Sequence, residues 1–496
     1  MNSHFIISCT AFVSLCLFVG CPQTPDAPSQ IIIEESEIIV EIPVIVDESP
    51  VVTSEPSADA VVPAVPAEPA PPTPPAPEPP APPPSPEPPQ ETADERVVRE
   101  RVAQLGGSIR KNAEGRIDRI IISNNDLTPS DMQAIGKLTS LEWIRIVGPA
   151  VTDEYVEALS GLPNLKIVDI GNSTITDQSL ELLKTCPEIH TLELQRNVGL
   201  TDQAIKLFAE FPKLETLKIL YNGFSSVSLF NLDKLKSVRV LDLRNLPVDD
   251  DVLSFIADLE NLEEIRIRSG TVTNDGLAEL ARCPNLKIIE LQDSSVSIGS
   301  AEFFKQMKNL RSLRIFRGSR FEADAVAELG VLTDLETLEL REIGCSAEAL
   351  LALKPLTQLS TVEFSELPGV DSATMVEVLK SYPKLESIRI FAIPVDDSVA
   401  SLLATIPTLK RVSLPATAIT DAGLEALSAL SDLLLLDIHG NKTRITLEGA
   451  TRALGKFKGL RRLIIPETLD TPAFRSAVLE NSPRCTFDLN TYSQET

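Results

Sequence analysis

A single frame returns fifteen times along this chain and constrains its fold more than any isolated motif. It is clearest in residues 165–183, LKIVDIGNSTITDQSLELL. There Leu165, Val168 and Ile170 stand at offsets 0, 3 and 5, Ile175 stands at offset 10, and Thr176-Asp177 open a helical run. The frame starts at Ile117, Leu141, Leu165, Ile189, Leu214, Val238, Leu262, Leu286, Leu310, Leu335, Leu359, Leu385, Leu409, Leu433 and Leu460. Most starts are 24 residues apart and the others 25 to 27. Each copy is one supersecondary unit too small to bury its own apolar face, so the copies must stack on one another.

Each copy reads strand, turn, helix. Alternate strand residues point to opposite sides, so offsets 3 and 5 face the core and offsets 2, 4 and 6 face the opposite surface. The helix adds apolar residues at offsets 15, 18 and 21, such as Val156, Leu159 and Leu162, or Leu180, Leu183 and Cys186. Thr or Asp at offsets 11 and 12 (Thr152-Asp153, Thr176-Asp177, Thr201-Asp202, Thr420-Asp421) can accept bonds from the free N–H groups of the first helical turn. Pro163, Pro187 and Pro284, at offset 22, end their helices before the next strand.

The spacing L-x-x-L-x-L, with a polar or small residue at offset 8, resembles leucine-rich repeats. The Thr-Asp-plus-helix form resembles their ribonuclease-inhibitor-like class. The resemblance covers residues 117–489 and implies an α/β solenoid, a horseshoe with a parallel β-sheet on the concave face and helices on the convex face. Asn125, Asn197, Asn222 and Asn441 keep the family's Asn at offset 8, and Ser173, Ser294 and Thr417 replace it. Pro149, Leu246 and Ile343 cannot do its hydrogen-bonding job, so the internal Asn ladder is expected to break, with local irregularity there. The copies starting at Leu214, Leu310 and Leu359 fit the frame loosely. Before the first copy, Val98, Val102 and Leu105 lie on one helix face and Gly106-Gly107 stop the helix. Residues 108–111 suit an edge strand, so residues 96–116 read as the cap of the solenoid's first face. Residues 485–489 (CTFDL) suit a last strand before a tail, residues 490–496.

The N-terminus is of another kind. Residues 5–19 form an apolar run too short for a membrane span and suited to a signal-peptide core. The run ends Leu17-Phe18-Val19-Gly20-Cys21, which resembles a bacterial lipoprotein signal, although Phe18 stands where Leu is usual and no Lys or Arg precedes the core. The resemblance implies that residues 1–20 are removed and that Cys21 is acylated, which makes the N-terminal lipid the contact with a membrane. Pro22 after the Cys, rather than Asp, implies by resemblance to Gram-negative lipoproteins the outer membrane over the inner one. Secretion without a lipid is the second reading and an uncleaved short anchor the third.

Residues 22–95 contain fifteen Asp or Glu and no Lys or Arg. They carry −15 of the net −26, and the remaining −11 (45 basic minus 56 acidic) falls on residues 96–496. With Cys21, this segment reads as a Pro-rich acidic linker, extended by polyproline II preference and by its own charge. Its run IIIEESEIIVEIPVIVDESPVV could alternatively add a strand to a partner. The repeat region is itself mildly acidic, which argues against general nucleic-acid binding.

Seven cysteines are too few and too scattered for a disulfide framework. Cys186 and Cys283 share offset 21 four copies apart, roughly 20 Å at about 4.8 Å per strand, beyond the reach of a disulfide. With Cys345 at offset 10, they read as buried thiols. His190 and His439 lie ten copies apart and cannot share a metal or proton relay, and no catalytic or nucleotide-binding motif occurs. The reading is therefore non-catalytic, without cofactor or metal.

Two columns on the outward strand face remain. Offset 4 reads Arg145, Asp169, Glu193, Lys218, Asp242, Arg266, Glu290, Arg314, Glu339, Glu363, Arg389, with signs alternating for much of the run, and is expected to form exposed salt bridges worth roughly 0.2–1 kcal/mol each. Offset 6 reads Arg244, Arg268, Gln292, Phe316, Arg341, Ser365, Phe391, with Arg317 one residue on. It contains no acid, and Arg and aromatics are the residues enriched in binding hot spots. Arg244, Arg268, Phe316, Arg317, Arg341 and Phe391 are thus the candidate ligand-binding residues. A protein partner is the first expectation, and an acidic polysaccharide or peptidoglycan bound by an envelope structural protein the alternative. The Gly20-Cys21 junction generates a direct test. Metabolic labelling with a fatty-acid analogue should mark the wild type and leave Cys21→Ala unlabelled, and equal labelling of both would remove the lipoprotein reading.

Overall fold

The computed structural model describes residues 91–123, 126–297, 301–318, 320, 323–441 and 444–489, the side chains of 301 and 302 excepted. The expected signal segment (residues 1–20), Cys21, most of the expected linker, Asn125 and residues 490–496 lie outside the described residues. Helix α1 (Ala93–Gln104) is the first element among the described residues. It begins with a capping box, the Thr92 side chain accepting from the Glu95 N–H and the Glu95 carboxylate from the Thr92 N–H.

Seventeen strands then form one sheet in chain order: β1 (Ser108–Lys111), β2 (Ile117–Ile122), β3 (Trp143–Val147), β4 (Ile167–Gly171), β5 (Thr191–Gln195), β6 (Thr216–Lys218), β7 (Val240–Asp242), β8 (Glu264–Arg268), β9 (Ile288–Gln292), β10 (Ser312–Phe316), β11 (Thr337–Arg341), β12 (Thr361–Ser365), β13 (Ser387–Phe391), β14 (Arg411–Ser413), β15 (Leu435–Asp437), β16 (Arg462–Ile465) and β17 (Thr486–Leu489). Strand β1 pairs antiparallel with β2, and every later neighbour is parallel. The architecture is the α/β solenoid expected from the frame, strands alternating with short helices such as Asp177–Leu183, Asp202–Phe208 and Asp421–Leu427.

The register follows the frame without slippage from β3 onward. Arg145 pairs with Asp169, Asp169 with Glu193, and the column continues through Glu290, Arg314, Glu339, Glu363 and Arg389 to Asp437. A one-residue slip would turn every apolar side chain outward, so the continuous core enforces this register. The frame residues Leu165, Val168, Ile170, Ile175, Leu180 and Leu183 are all fully buried, and the same offsets are buried in copy after copy. Cys186, Cys283 and Cys345 are free and buried as expected, as is Cys485. Burial pushes the Cys283 and Cys345 thiols up to about 12.

The Asn ladder survives in two pieces. Asn197 accepts from the Ser173 hydroxyl at 2.7 Å, and Asn222 accepts from the Asn197 N–H at 2.9 Å. Asn441 accepts from the Thr417 N–H at 2.8 Å. Between the pieces the ladder is broken as expected, but the expected irregularity is confined. Strands β3 and β11, whose copies carry Pro149 and Ile343, keep five residues, and β7, beside Leu246, has three, but so do β6, β14 and β15, whose copies hold Asn222, Thr417 and Asn441, so strand length does not track the ladder. Of the loosely fitting copies, those from Leu214 and Leu310 contain 3₁₀ helices (Phe230–Lys234 and Ala325–Val331), and that from Leu359 keeps a regular helix, Ser372–Leu379.

Two further ladders join the copies. After the strand, the residue at offset 7 adopts a left-handed backbone in nearly every copy. Asn172, Arg196, Tyr221, Asn245, Asp293, Arg317, Glu342, Glu366, Ala392 and Ala416 all have φ between 51° and 60°. This costs an L-residue roughly 1–2 kcal/mol, and only Asn and Asp among these favour it. Each pays that cost for a bond to the next copy: Asp293 N–H donates to the Phe316 carbonyl at 2.9 Å, Arg317 to Arg341 at 3.0 Å, Glu342 to Ser365 at 3.0 Å.

The second ladder runs through the helix starts. Thr176, Thr201 and Thr420 cap their own helices as expected, whereas Thr152 makes no side-chain cap bond, and the Asp after each Thr reaches the next copy instead. Asp153 accepts from the N–H and hydroxyl of Thr176, Asp177 from those of Thr201, Asp250 from those of Thr273, and Asp397 from those of Thr420, at 2.5–2.9 Å. The carboxylate lies against the next helix's third residue, a small one in each of these copies: Ser179, Ala204, Gly276 and Gly423. A methyl on Gly423 would collide with the Asp397 carboxylate. Gly423→Ala should therefore destabilise the protein in urea melts, although Ala is the better helix former by about 1 kcal/mol. Asp397→Ala should cost about 1–2 kcal/mol alone. Together they should cost clearly less than the sum, and strict additivity would mean that the carboxylate does not occupy that space.

Candidate functional site

The outward strand face is a wall of charge, and crowding sets its properties. At about 4.8 Å between strands, each offset-4 side chain is flanked by its neighbours in the column and by offsets 2 and 6 of its own strand. The expected ion pairs form: Arg145–Asp169 at 3.1 Å, Lys218–Glu193 at 2.8 Å, Arg314–Glu339 at 3.1 Å and Arg389–Glu363 at 3.6 Å. The column is less exposed than expected, because Asp169, Asp242 and Glu290 are buried and Glu193, Glu339 and Glu363 half-buried. The small worth of a surface pair does not transfer to them, since burying a charge carries a desolvation cost. Two carboxyls of the column carry that cost. Burial pushes Asp169 up to about 6 despite Arg145. Glu339 is pushed up to about 7 by burial, opposed by Arg314 and reinforced by Glu363 and Glu290.

At offset 6 the structure separates residues that the sequence grouped. Arg244 is only 8 % exposed and is held by Asp242, Nη2 to Oδ2 at 2.9 Å, with Glu290 at 3.5 Å. Its neutral column does not leave it free, because it reaches sideways into offset 4. It leaves the candidate set. Arg268 and Arg341 are also paired, to acids at offset 7. Arg268 Nε donates to Asp293 Oδ2 at 2.5 Å and Arg317 Nε to Asp293 Oδ1 at 2.7 Å. Arg341 lies 3.1 Å from Glu342 and 3.9 Å from Glu366, and Arg317 lies 3.9 Å from Glu342. Burial of Asp293 works against ionisation, yet the bonds from Arg317 and Arg268 outweigh it and hold its carboxyl below the usual range.

These residues form a ribbon across the strand ends, Arg268–Asp293–Arg317–Glu342–Arg341–Glu366. It stays half-open, with 34–39 % of each arginine side chain exposed. Phe316 and Phe391 are half-buried within its span, and Arg389 stacks on Phe391 at 5.4 Å. Tyr221 continues the ribbon toward the N-terminus under Arg196, whose guanidinium sits 4.7 Å from the ring centroid. The acids Asp293, Glu342 and Glu366 and the aromatic Tyr221 escaped the sequence reading. Offset 7 followed as a column, like 4 and 6, would have disclosed them.

A second group lies on β13–β15. Arg389 Nη1 donates to Ser413 Oγ at 2.8 Å, Ser413 Oγ donates to Asp437 Oδ2 at 2.7 Å, and His439 Nδ1 meets Asp437 Oδ1 at 2.5 Å. Serine, aspartate and histidine are together, but both bond the carboxylate. A nucleophilic serine needs the imidazole as its base, so this wiring is not that of a catalytic triad. Burial of Asp437 opposes ionisation, and His439, Ser413 and Arg389 outweigh it to keep the carboxyl below its ordinary value. Among the described residues no group of three or more His, Cys, Asp or Glu could hold a metal ion.

No family model matches the sequence, and no curated protein matches it. Among solved structures the chain is similar to an internalin of Listeria monocytogenes, at 20% identity and a TM-score of 0.42 over 70% of this chain and 95% of that one. It is similar to a leucine-rich-repeat protein of Leptospira interrogans, at 17% and 0.39 over 72% and 92%. A chain of the yeast Rad7–Elc1 complex gives 14% and 0.48 over 80% and 92%. These structural neighbours include leucine-rich-repeat proteins.

The raised Glu339 yields a prediction. A carboxyl whose folded pKa lies above its unfolded value binds its proton more tightly when folded, so its contribution to stability falls as pH rises from about 4.5 to about 7. Glu339→Gln should match the wild type near pH 5 and become the more stable of the two by pH 8, in parallel urea melts. A stability difference that does not change across that range would show that Glu339 ionises normally.

Proposed function

We propose that this protein is a non-catalytic recognition module of a bacterial cell envelope, anchored by a lipid on Cys21, carried on the acidic Pro-rich segment, and binding a partner protein through the ribbon from Arg268 to Phe391. The observation that carries the reading is the half-open set of guanidiniums alternating with carboxylates beside Phe316 and Phe391. Arginines already positioned by Asp293, Glu342 and Glu366 can add contacts to a partner at little cost in side-chain entropy. Half-buried aromatics beside them supply apolar area and cation–π partners. The pairing also favours a protein over an acidic polysaccharide, because a strip in which each cation faces a carboxylate holds little free positive potential.

The test is a pair of variants against the partner recovered by cross-linking to the full chain. Phe316→Ala with Arg341→Ala should leave the melting temperature within a few degrees and weaken capture at least tenfold, on the order of 1.4 kcal/mol. Binding to the wild type should fall only partly with salt. Capture that survives this change but is lost on altering Glu181 and Lys184, which pair at 2.6 Å on a helix, would move the binding surface to the convex side.

A further inference from the structure

A third charged column runs along the entry to the strands, at offset 1. There the rule that governs the others holds until the end of the chain and then fails. Lys166 meets Glu142 at 2.8 Å, Arg239 and Lys287 meet Glu263 at 2.8 and 2.9 Å, Arg311 meets Glu336 at 3.9 Å, and Lys410 meets Glu386 at 3.0 Å. The next two members are Leu434 and Arg461. Backbone bonds hold them in place, Leu434 N–H donating to the Lys410 carbonyl and Arg461 N–H to the Leu434 carbonyl, both at 2.8 Å. Arg461 is thus the last cation of the column, with Leu434 where each earlier one has an acid in reach. Leu434 is 37 % exposed.

Lys458, Arg461 and Arg484 are exposed, and among the described residues their side chains make no ion pair or hydrogen bond. With Lys410, Leu434 and Pro483 they line a groove of about 520 Å³ at the entry to β14–β17. Asp432 is the single carboxylate on its lining. Lys410 is already held by Glu386, so three unpaired cations, Lys458, Arg461 and Arg484, against the one acid Asp432 make a positive site on a chain of net charge −26. Such a site keeps its potential because its own charges are not neutralised in place.

We propose that this groove docks an acidic peptide segment of another protein, with an aliphatic side chain seated on Leu434 and Pro483 and its carboxylates taken by Lys458, Arg461 and Arg484. The cations require an anion. Exposed Leu434 favours peptide over polyuronate or phosphate, because a bare polyanion has no apolar group to cover it. The site is separate from the ribbon on the strand face and stands or falls independently of it.

The experiment uses the full chain and three fluorescein-labelled probes followed by anisotropy: the peptide Glu-Leu-Glu-Asp-Leu-Glu, hexaglutamate, and polygalacturonate. The mixed peptide should bind at least fivefold more tightly than hexaglutamate. Lys458→Glu with Arg484→Glu should weaken it at least tenfold, and Leu434→Ser should bring it down to the hexaglutamate level. Phe316→Ala with Arg341→Ala should leave all three affinities unchanged, which separates this site from the ribbon. Equal affinity for the two peptides, insensitive to Leu434→Ser, or tighter binding of polygalacturonate, would make the groove a polyanion site and overturn the peptide assignment. Absence of binding by every probe would overturn the site itself.

Discussion

Parallel strands stacked in register at about 4.8 Å are the constraint from which the rest follows. Because copy follows copy without slippage, residues at one offset become a column of near neighbours. Apolar columns cost nothing and build the core. Charged columns must alternate, borrow partners from an adjacent column, or bear repulsion. All three outcomes occur. Arg314 sits between Glu290 and Glu339, Arg244 leaves its column for Asp242, and Glu339, raised to about 7 chiefly by burial, also faces Glu363 across the strand gap.

The copies are also stitched together by hydrogen bonds outside the strands. The left-handed residue at offset 7 trades local strain for a bond to the next copy's backbone, and the Asp at the helix start trades a capping role for a bond to the next Thr. The backbone ladder continues where the Asn ladder is broken. Strands β11–β13 keep five residues although Ile343 and its counterparts offer no side-chain bond, whereas β14 and β15, whose copies hold Thr417 and Asn441, have three, so strand length does not follow the Asn ladder. Stability in such an array is close to a sum of nearest-neighbour terms, so each ladder acts locally.

The left-handed turn also shapes the ribbon. Asp293, Arg317, Glu342 and Glu366 are offset-7 residues in that backbone conformation, and they meet the offset-6 arginines there. The geometry that joins the copies therefore assembles the arginines, and a partner would meet side chains already fixed by packing and charge.

The sequence by itself determined the period, the strand–helix alternation, the core offsets, the buried thiols and the edge strand beside β2, because apolar spacing reports directly on what must leave water. It also placed Arg268, Phe316, Arg317, Arg341 and Phe391 along one strip. It misjudged Arg244 and the exposure of the offset-4 acids, and it left Asp293, Glu342 and Glu366 unseen. Those were settled only by the tertiary structure. An arginine's reach exceeds the spacing between strands, so it can choose among acids on its own strand, the next one, or the turn beyond. That choice depends on which carboxylates the stacked backbone brings close, including those set by a left-handed turn that residues such as Arg, Tyr, Glu and Ala do nothing to announce.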